Sequence, residues 1–108
     1  MDERDRRIGL NESVFREINE RIEKVAATFE VRDVLDLICE CGDASCTSRI
    51  QMAFEEYEEL RSDATTFAVV SGHEVLDIEE IVARHKTYEV VRKKDRDARN
   101  VAEATDPR

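Results

Sequence analysis

The sequence predicts one small α+β domain, an amphipathic N-terminal helix packed on a short, mainly antiparallel sheet. Three observations predict it. Between positions 10 and 29 the apolar residues recur at helical three- and four-residue spacing. After position 34 they come in short β-rich runs separated by turn residues. The length of 108 residues fits a single domain, and a chain of that size buries roughly 65% of the surface its unfolded form exposes.

Residues 1–9 read as a disordered, charged lead. The run Met1-Asp2-Glu3-Arg4-Asp5-Arg6-Arg7 has no apolar stretch behind it and is no signal peptide. The helix is expected from Leu10, with Asn11 as N-cap and Leu10 stapled onto Phe15. Val14, Phe15, Ile18, Ile22, Val25, Ala26 and Phe29 form one stripe, expected to cover the core. The stripe spans under three heptads, too few to claim a coiled coil. Glu12-Arg16, Glu17-Arg21 and Glu20-Lys24 are acid-to-base pairs four apart, the orientation that supports a helix.

Leu35, Leu37, Cys39 and Cys41 alternate with Asp36, Ile38 and Glu40, which predicts a short strand ending in a Gly42-Asp43 turn. A strand over 48–53 and a helix from about Phe54 to Arg61 follow. Thr66 to Val70 is β-rich and ends at Ser71-Gly72. Ile78 to Val82 and Tyr88 to Val91 predict two strands joined around His85-Lys86-Thr87, with a helix across 77–86 as the competing assignment. Residues 10–95 are thus the expected domain. Residues 96–108 form a charged tail with at most a helical turn at Ala98 to Ala104.

The charge is uneven. Net charge is −9, but residues 1–35 hold nine acids and seven bases, residues 36–80 twelve and two, and residues 81–108 five and eight. An acidic middle argues against a nucleic-acid partner, because phosphate binding rests on clustered lysine and arginine. Arg92-Lys93-Lys94 is expected to be a solvated strand end. No segment is apolar enough to span a bilayer, so no membrane partner is expected, and the chain reads as cytoplasmic.

All three cysteines fall in one run, Cys39-Glu40-Cys41-Gly42-Asp43-Ala44-Ser45-Cys46. In a reducing compartment clustered thiols point to a metal or to redox chemistry rather than to structural disulfides. A structural zinc ion takes four tetrahedral ligands, preferably thiolate and imidazole. Cys39 and Cys41, two apart on an extended chain, point to one side, and the four-residue loop returns Cys46 to the same point, making a zinc-binding turn. A fourth ligand must come from elsewhere. His73, after Gly72 at a predicted strand end, is the leading candidate and His85 its rival. Glu40 and Asp43 are oxygen-donor alternatives, both expected to face solvent.

Catalytic signatures are weak. His73-Glu74 matches the start of the zinc-protease helix motif, but that motif needs a histidine where Asp77 stands. The zinc-deaminase pattern is missing. The expectation is therefore a non-catalytic, zinc-stabilised interaction or regulatory module with an unidentified protein partner. Two alternatives stand beside it: a thiol redox sensor that releases zinc, and a zinc hydrolase with Glu74 as base.

Cys-Glu-Cys-Gly-Asp-x-x-Cys, Glu-Tyr-Glu-Glu-Leu-Arg, Phe-Ala-Val-Val-Ser-Gly-His-Glu, Tyr-Glu-Val-Val and the final Thr-Asp-Pro-Arg occur here in that order. With Asn11 to Arg21, this pattern resembles a group of short uncharacterised bacterial proteins. The group's pattern has proline where this chain has Ser71. The resemblance implies that Cys39, Cys41, Cys46 and His73 belong to one site, and it implies no activity.

Overall fold

The computed structural model describes residues 2–30 and 33–108. Its elements are α1 (Glu3–Thr28), β1 (Val34–Ile38), β2 (Arg49–Ala53), α2 (Phe54–Arg61), β3 (Thr66–Val70), β4 (Glu79–Arg84), β5 (Tyr88–Lys93) and α3 (Arg96–Ala104). They form one α+β domain with two antiparallel sheets, β1-β2 and β3-β5-β4. Among the described residues no helix is long and apolar enough to cross a membrane.

The first helix corrects the expected boundaries. It starts at Glu3, so residues 3–9 are helical rather than a disordered lead; Met1 of that lead lies outside the described residues. The N-cap is Asp2, whose carboxylate accepts the Asp5 N–H at 2.8 Å, and not Asn11. Glu3 and Asp5 then suit the positive end of the helix dipole. Short acidic residues cap as well as asparagine does, so a charged run without apolar spacing conceals a helix start. The tail is corrected too. Asp95 caps α3 by accepting the Ala98 N–H at 2.7 Å, and Ala98 and Ala102 are buried where α3 packs on α1 and β5.

The strands lie close to their expected positions. In the β1-β2 hairpin Leu35 pairs with Met52 and Leu37 with Ile50, and all four are buried, while Asp36 and Gln51 face out. Residues 77–86 do not form the competing helix: β4 pairs with β5, and a bulge between Ile81 and Ala83 absorbs Val82. Leu37, Ile50, Tyr57, Phe67, Val69 and Val91 share one core cluster, and Cys39 and Cys41 belong to it.

The orientation of α1 is the main departure. Its apolar stripe does not cover the core: Leu10, Val14, Ile18, Val25 and Phe29 are exposed, while Glu12, Arg16, Asn19, Glu20 and Glu23 are buried. Only Ile22, Ala26 and Ala27 reach the core from its edge. The reason lies in what the helix covers. Beneath it are strand ends, backbone carbonyls and charged side chains, and buried polar groups require polar partners. The Arg16 guanidinium donates to the carbonyls of Ala64 (2.6 Å) and Ala102 (2.7 Å) and stacks 4.5 Å above the Phe67 ring. Lys93, expected in solvent, is buried between Glu12 and Glu79. Arg61 is buried between Glu20 and Asp106, and Arg108 also pairs with Glu20.

Burial sets the protonation pattern of this layer. It lifts the Glu12 carboxyl well above the usual range, and the adjacent Glu79 carboxylate lifts it further. Burial also opposes ionisation of Glu79, but hydrogen bonds from Glu12 and Lys93 outweigh it and hold Glu79 below its ordinary value. The triad is therefore a Lys93–Glu79 ion pair with Glu12 inclined to keep its proton.

Candidate metal centre

The loop between β1 and β2 carries the cysteines, and backbone bonds fix its course. The Cys39 N–H donates to the Ser48 carbonyl (3.0 Å), continuing the hairpin, and the Glu40 N–H donates to the Ala68 carbonyl (2.8 Å), laying the segment beside β3. Asp43 makes the return turn. Its Oδ1 accepts the N–H (2.9 Å) and hydroxyl (2.7 Å) of Ser45, and its carbonyl accepts the Cys46 N–H at 3.0 Å. Those Ser45 donors hold the Asp43 carboxyl below its usual range. Asp43 is exposed, as expected.

His73 arrives from β3. The His73 N–H donates to the Val70 carbonyl at 2.9 Å, closing a turn in which Gly72 has φ 94°. A positive φ at the third residue defines a type II turn, which favours glycine there and proline just before it. Ser71 occupies the position before Gly72 in that turn.

The four side chains meet. One potential ligand atom from each of Cys39, Cys41, Cys46 and His73 lies within 4.8 Å of all the others, so the group could hold a metal ion. His73 Nδ1 is 3.5 Å from Cys39 Sγ and 3.6 Å from Cys46 Sγ. Cys39 and Cys41 are buried and Cys46 is half-buried. Backbone amides also point at sulfur: the Val70 N–H donates to Cys39 Sγ at 3.2 Å, and the Asp43 N–H donates to Cys41. Such donors favour thiolate over thiol. The Cys39 thiol donates to Cys41, which brings Cys41 down to about 5 against the opposing effect of burial, with further help from the Asp43 amide and His73. The same shared hydrogen bond, together with burial, pushes Cys39 far up.

The other sequence candidates lie elsewhere. His85 stacks on the Tyr88 ring, with centroids 4.4 Å apart, outside the cluster. Glu74 Oε2 accepts the Gly72 N–H at 3.0 Å, its carboxylate neighbours Glu89, and it is not part of the cluster. Glu40 corrects an expectation, because it is fully buried rather than solvent-facing. It accepts hydrogen bonds from the Ala68 N–H (2.9 Å), Asn19 Nδ2 (2.9 Å) and the Tyr57 hydroxyl (3.4 Å).

Glu40 and Asn19 are positioning residues that sequence reasoning missed. Asn19 clamps the end of β1 by donating to the Ile38 carbonyl (2.8 Å) and accepting the Ile38 N–H (2.9 Å). Glu40 then ties the segment between two cysteines to α1, α2 and β3. The available signal was the period of two: Glu40 is flanked by inward-pointing Cys39 and Cys41, so it points to the opposite side, which α1 covers. Ile8 and Asn11 complete the support. Asn11 Nδ2 donates to the Gly42 carbonyl at 2.9 Å, and Ile8 sits so close to Gly42 that a Cβ there would collide with it. A cleft of about 320 Å³ adjoins the cluster, lined by Ile8, Cys41, Gly42, Asp43, His73 and Val75.

No protein-family model, curated protein or solved structure matches this chain.

Proposed function

We propose that Cys39, Cys41, Cys46 and His73 bind a structural zinc ion, and that the chain is a non-catalytic, zinc-stabilised interaction or regulatory module of the cytoplasm. One observation carries the reading of a metal centre. Bond lengths of about 2.3 Å to sulfur and 2.0–2.1 Å to nitrogen in a tetrahedron place sulfur and nitrogen about 3.6 Å apart. The His73 nitrogen stands 3.5 and 3.6 Å from two of the sulfurs. The donor set is also soft, and backbone amides already hydrogen-bond two of its three sulfurs, the environment zinc thiolates use. With His73 as fourth ligand no coordination position is left for water, and Glu74 Oε2 is engaged by the Gly72 N–H, which favours a structural over a hydrolytic role.

Metal analysis of protein purified without added zinc tests this directly. One zinc per chain is expected, with loss of both metal and fold in Cys39→Ser. Cobalt substitution should give the visible spectrum of a tetrahedral thiolate site, altered in His73→Ala. Folded, metal-free protein would end the proposal, and a cobalt spectrum unchanged in His73→Ala would remove His73 from the site and return Glu74 to consideration.

A redox reading has one observation in its favour: Cys46, at the rim of the cluster, is only half-buried. A peroxide would take two electrons from Cys46 and a neighbouring thiolate, forming their disulfide, being reduced to water and displacing zinc. Zinc release followed during peroxide treatment separates the readings. Retention for hours in excess oxidant rules out sensing.

A further inference from the structure

The outward face of α1 carries an apolar stripe from Leu10 onward. Leu10 is 42% exposed, Val14 56%, Ile18 39%, Val25 58% and Phe29 74%. At 100° per residue these side chains fall in one stripe, with half-buried Ile22 filling the gap between Ile18 and Val25. Positions 18, 22, 25 and 29 are spaced four, three and four apart, the rhythm of a seam between two packed helices. From Leu10 to Phe29 the stripe is about 29 Å long at 1.5 Å per residue. At its far end a groove of about 300 Å³ opens between α1 and β1, and Val34, 59% exposed, continues the apolar surface.

We propose that a second copy of this chain covers this face, with the two α1 helices antiparallel about a two-fold axis at Ile18. The area fits a self-pair. Six exposed apolar side chains present roughly 500 Å², near the upper end for one patch on a monomer. Covered by the partner's helix, the two patches together bury about 1,000 Å² before any rim is counted, the least that a specific interface needs. Charge chooses the direction. In the antiparallel register centred on Ile18, Val14 faces Ile22, Arg21 faces Phe15 and Arg7 faces Phe29, so guanidinium groups meet aromatic rings. A parallel pair would set Arg7 against Arg7 and Arg21 against Arg21. Antiparallel helices also place opposite dipole ends together. Each domain body hangs from the buried face of its own helix, behind the seam, and an isologous pair closes without further growth.

This inference goes beyond the metal reading and stands without it, and measuring zinc in every variant keeps the two apart. Sedimentation of the full zinc-supplemented chain between about 1 and 100 µM should show a species of twice the 12.5 kDa chain mass. Ile18→Glu puts two carboxylates on the axis and should weaken the dimer by 100-fold or more, with one zinc per chain and the monomer's circular dichroism retained. Val25→Glu should do the same. Under mild oxidation Ile18→Cys should cross-link the two copies. Val25→Cys, whose partners lie about 21 Å apart along the axis in this register, should not. A chain that is monomeric at 100 µM overturns the proposal, including one that engages a different protein through this face. So does a dimer indifferent to Ile18→Glu. Unfolding by both glutamate variants would place the stripe against the chain's own core and overturn it equally.

Discussion

The cysteine pole and the layer beneath α1 both gather charge away from water, and they balance it differently. At the pole, three sulfurs and an imidazole converge, and no lysine or arginine is among the described residues lining the adjoining cleft. Under α1, Lys93, Arg16 and Arg61 stand among Glu12, Glu79, Glu20 and Asp106, so the layer carries its own counter-charges. A group that needs an outside cation makes folding conditional on that cation. A group that is internally paired makes folding conditional on proton occupancy instead. The two halves of this small domain should therefore fail under different conditions.

The largest expected effect comes from withdrawing the outside cation. On the proposed zinc reading, chelation or Cys39→Ser should remove a contribution on the order of 10 kcal/mol, comparable to the whole stability of a domain this size. Thermal melting followed by circular dichroism should lose its cooperative transition, and an unchanged melt in excess chelator would break the comparison at its first term. Next is Lys93→Met. It leaves Glu79 and Glu12 buried without their cation and should cost about 3–5 kcal/mol in urea unfolding. Zinc stoichiometry should remain one per chain in the folded fraction. Loss of zinc from folded Lys93→Met would show that the two regions are not independent.

Glu40 touches both regions, and Glu40→Ala sharpens the boundary between them. It strips partners from the Ala68 N–H and Asn19, with an expected cost of about 2–3 kcal/mol and faster transfer of zinc to a chelating dye. Transfer at the wild-type rate would confine Glu40 to a packing role. A smaller effect follows from Glu12. Its folded pKa is raised above the unfolded value by burial. The stability it contributes is thus fully present below the unfolded carboxylate value and is lost as pH rises through the folded one. Urea midpoints measured from pH 5 to 9 should fall relative to Glu12→Gln as pH increases, and parallel curves would refute the assignment. The smallest effect is expected at the exposed Arg49–Asp36 pair, where Asp36→Asn should stay within about 0.5 kcal/mol of the parent.

The same contrast explains what was legible in the sequence. Cysteines are rare here, so three within eight residues stand out, and strand periodicity predicts that Cys39 and Cys41 share a side. The positions of β2, α2, β3 and β5 were legible for a related reason: Ile50, Tyr57, Phe67 and Val91 are apolar or aromatic and buried. Charged residues make up 40% of the chain, so nothing in the sequence distinguishes the buried Glu12, Arg16 and Lys93 from the many that face water. Helical periodicity located α1 and then pointed its apolar side inward, because the pattern shows that two faces differ and not which of them meets the domain. Asp2 and the start of α1 were hidden for the same reason, in a run of charges with no apolar rhythm.

The contact between Ile8 and Gly42 has a consequence for sequence variation. Gly42 does not have a left-handed backbone, so a turn is not what requires glycine there. The requirement comes from the isoleucine pressed against it. The tolerance of position 42 is thus set by position 8. In a library that randomises both sites, alanine at 42 should survive selection mainly in company with a smaller residue at 8, and almost never beside isoleucine. Two positions thirty-four apart would then drift as a linked pair, and that linkage would register the seating of the helix on the cysteine loop without any structure being solved.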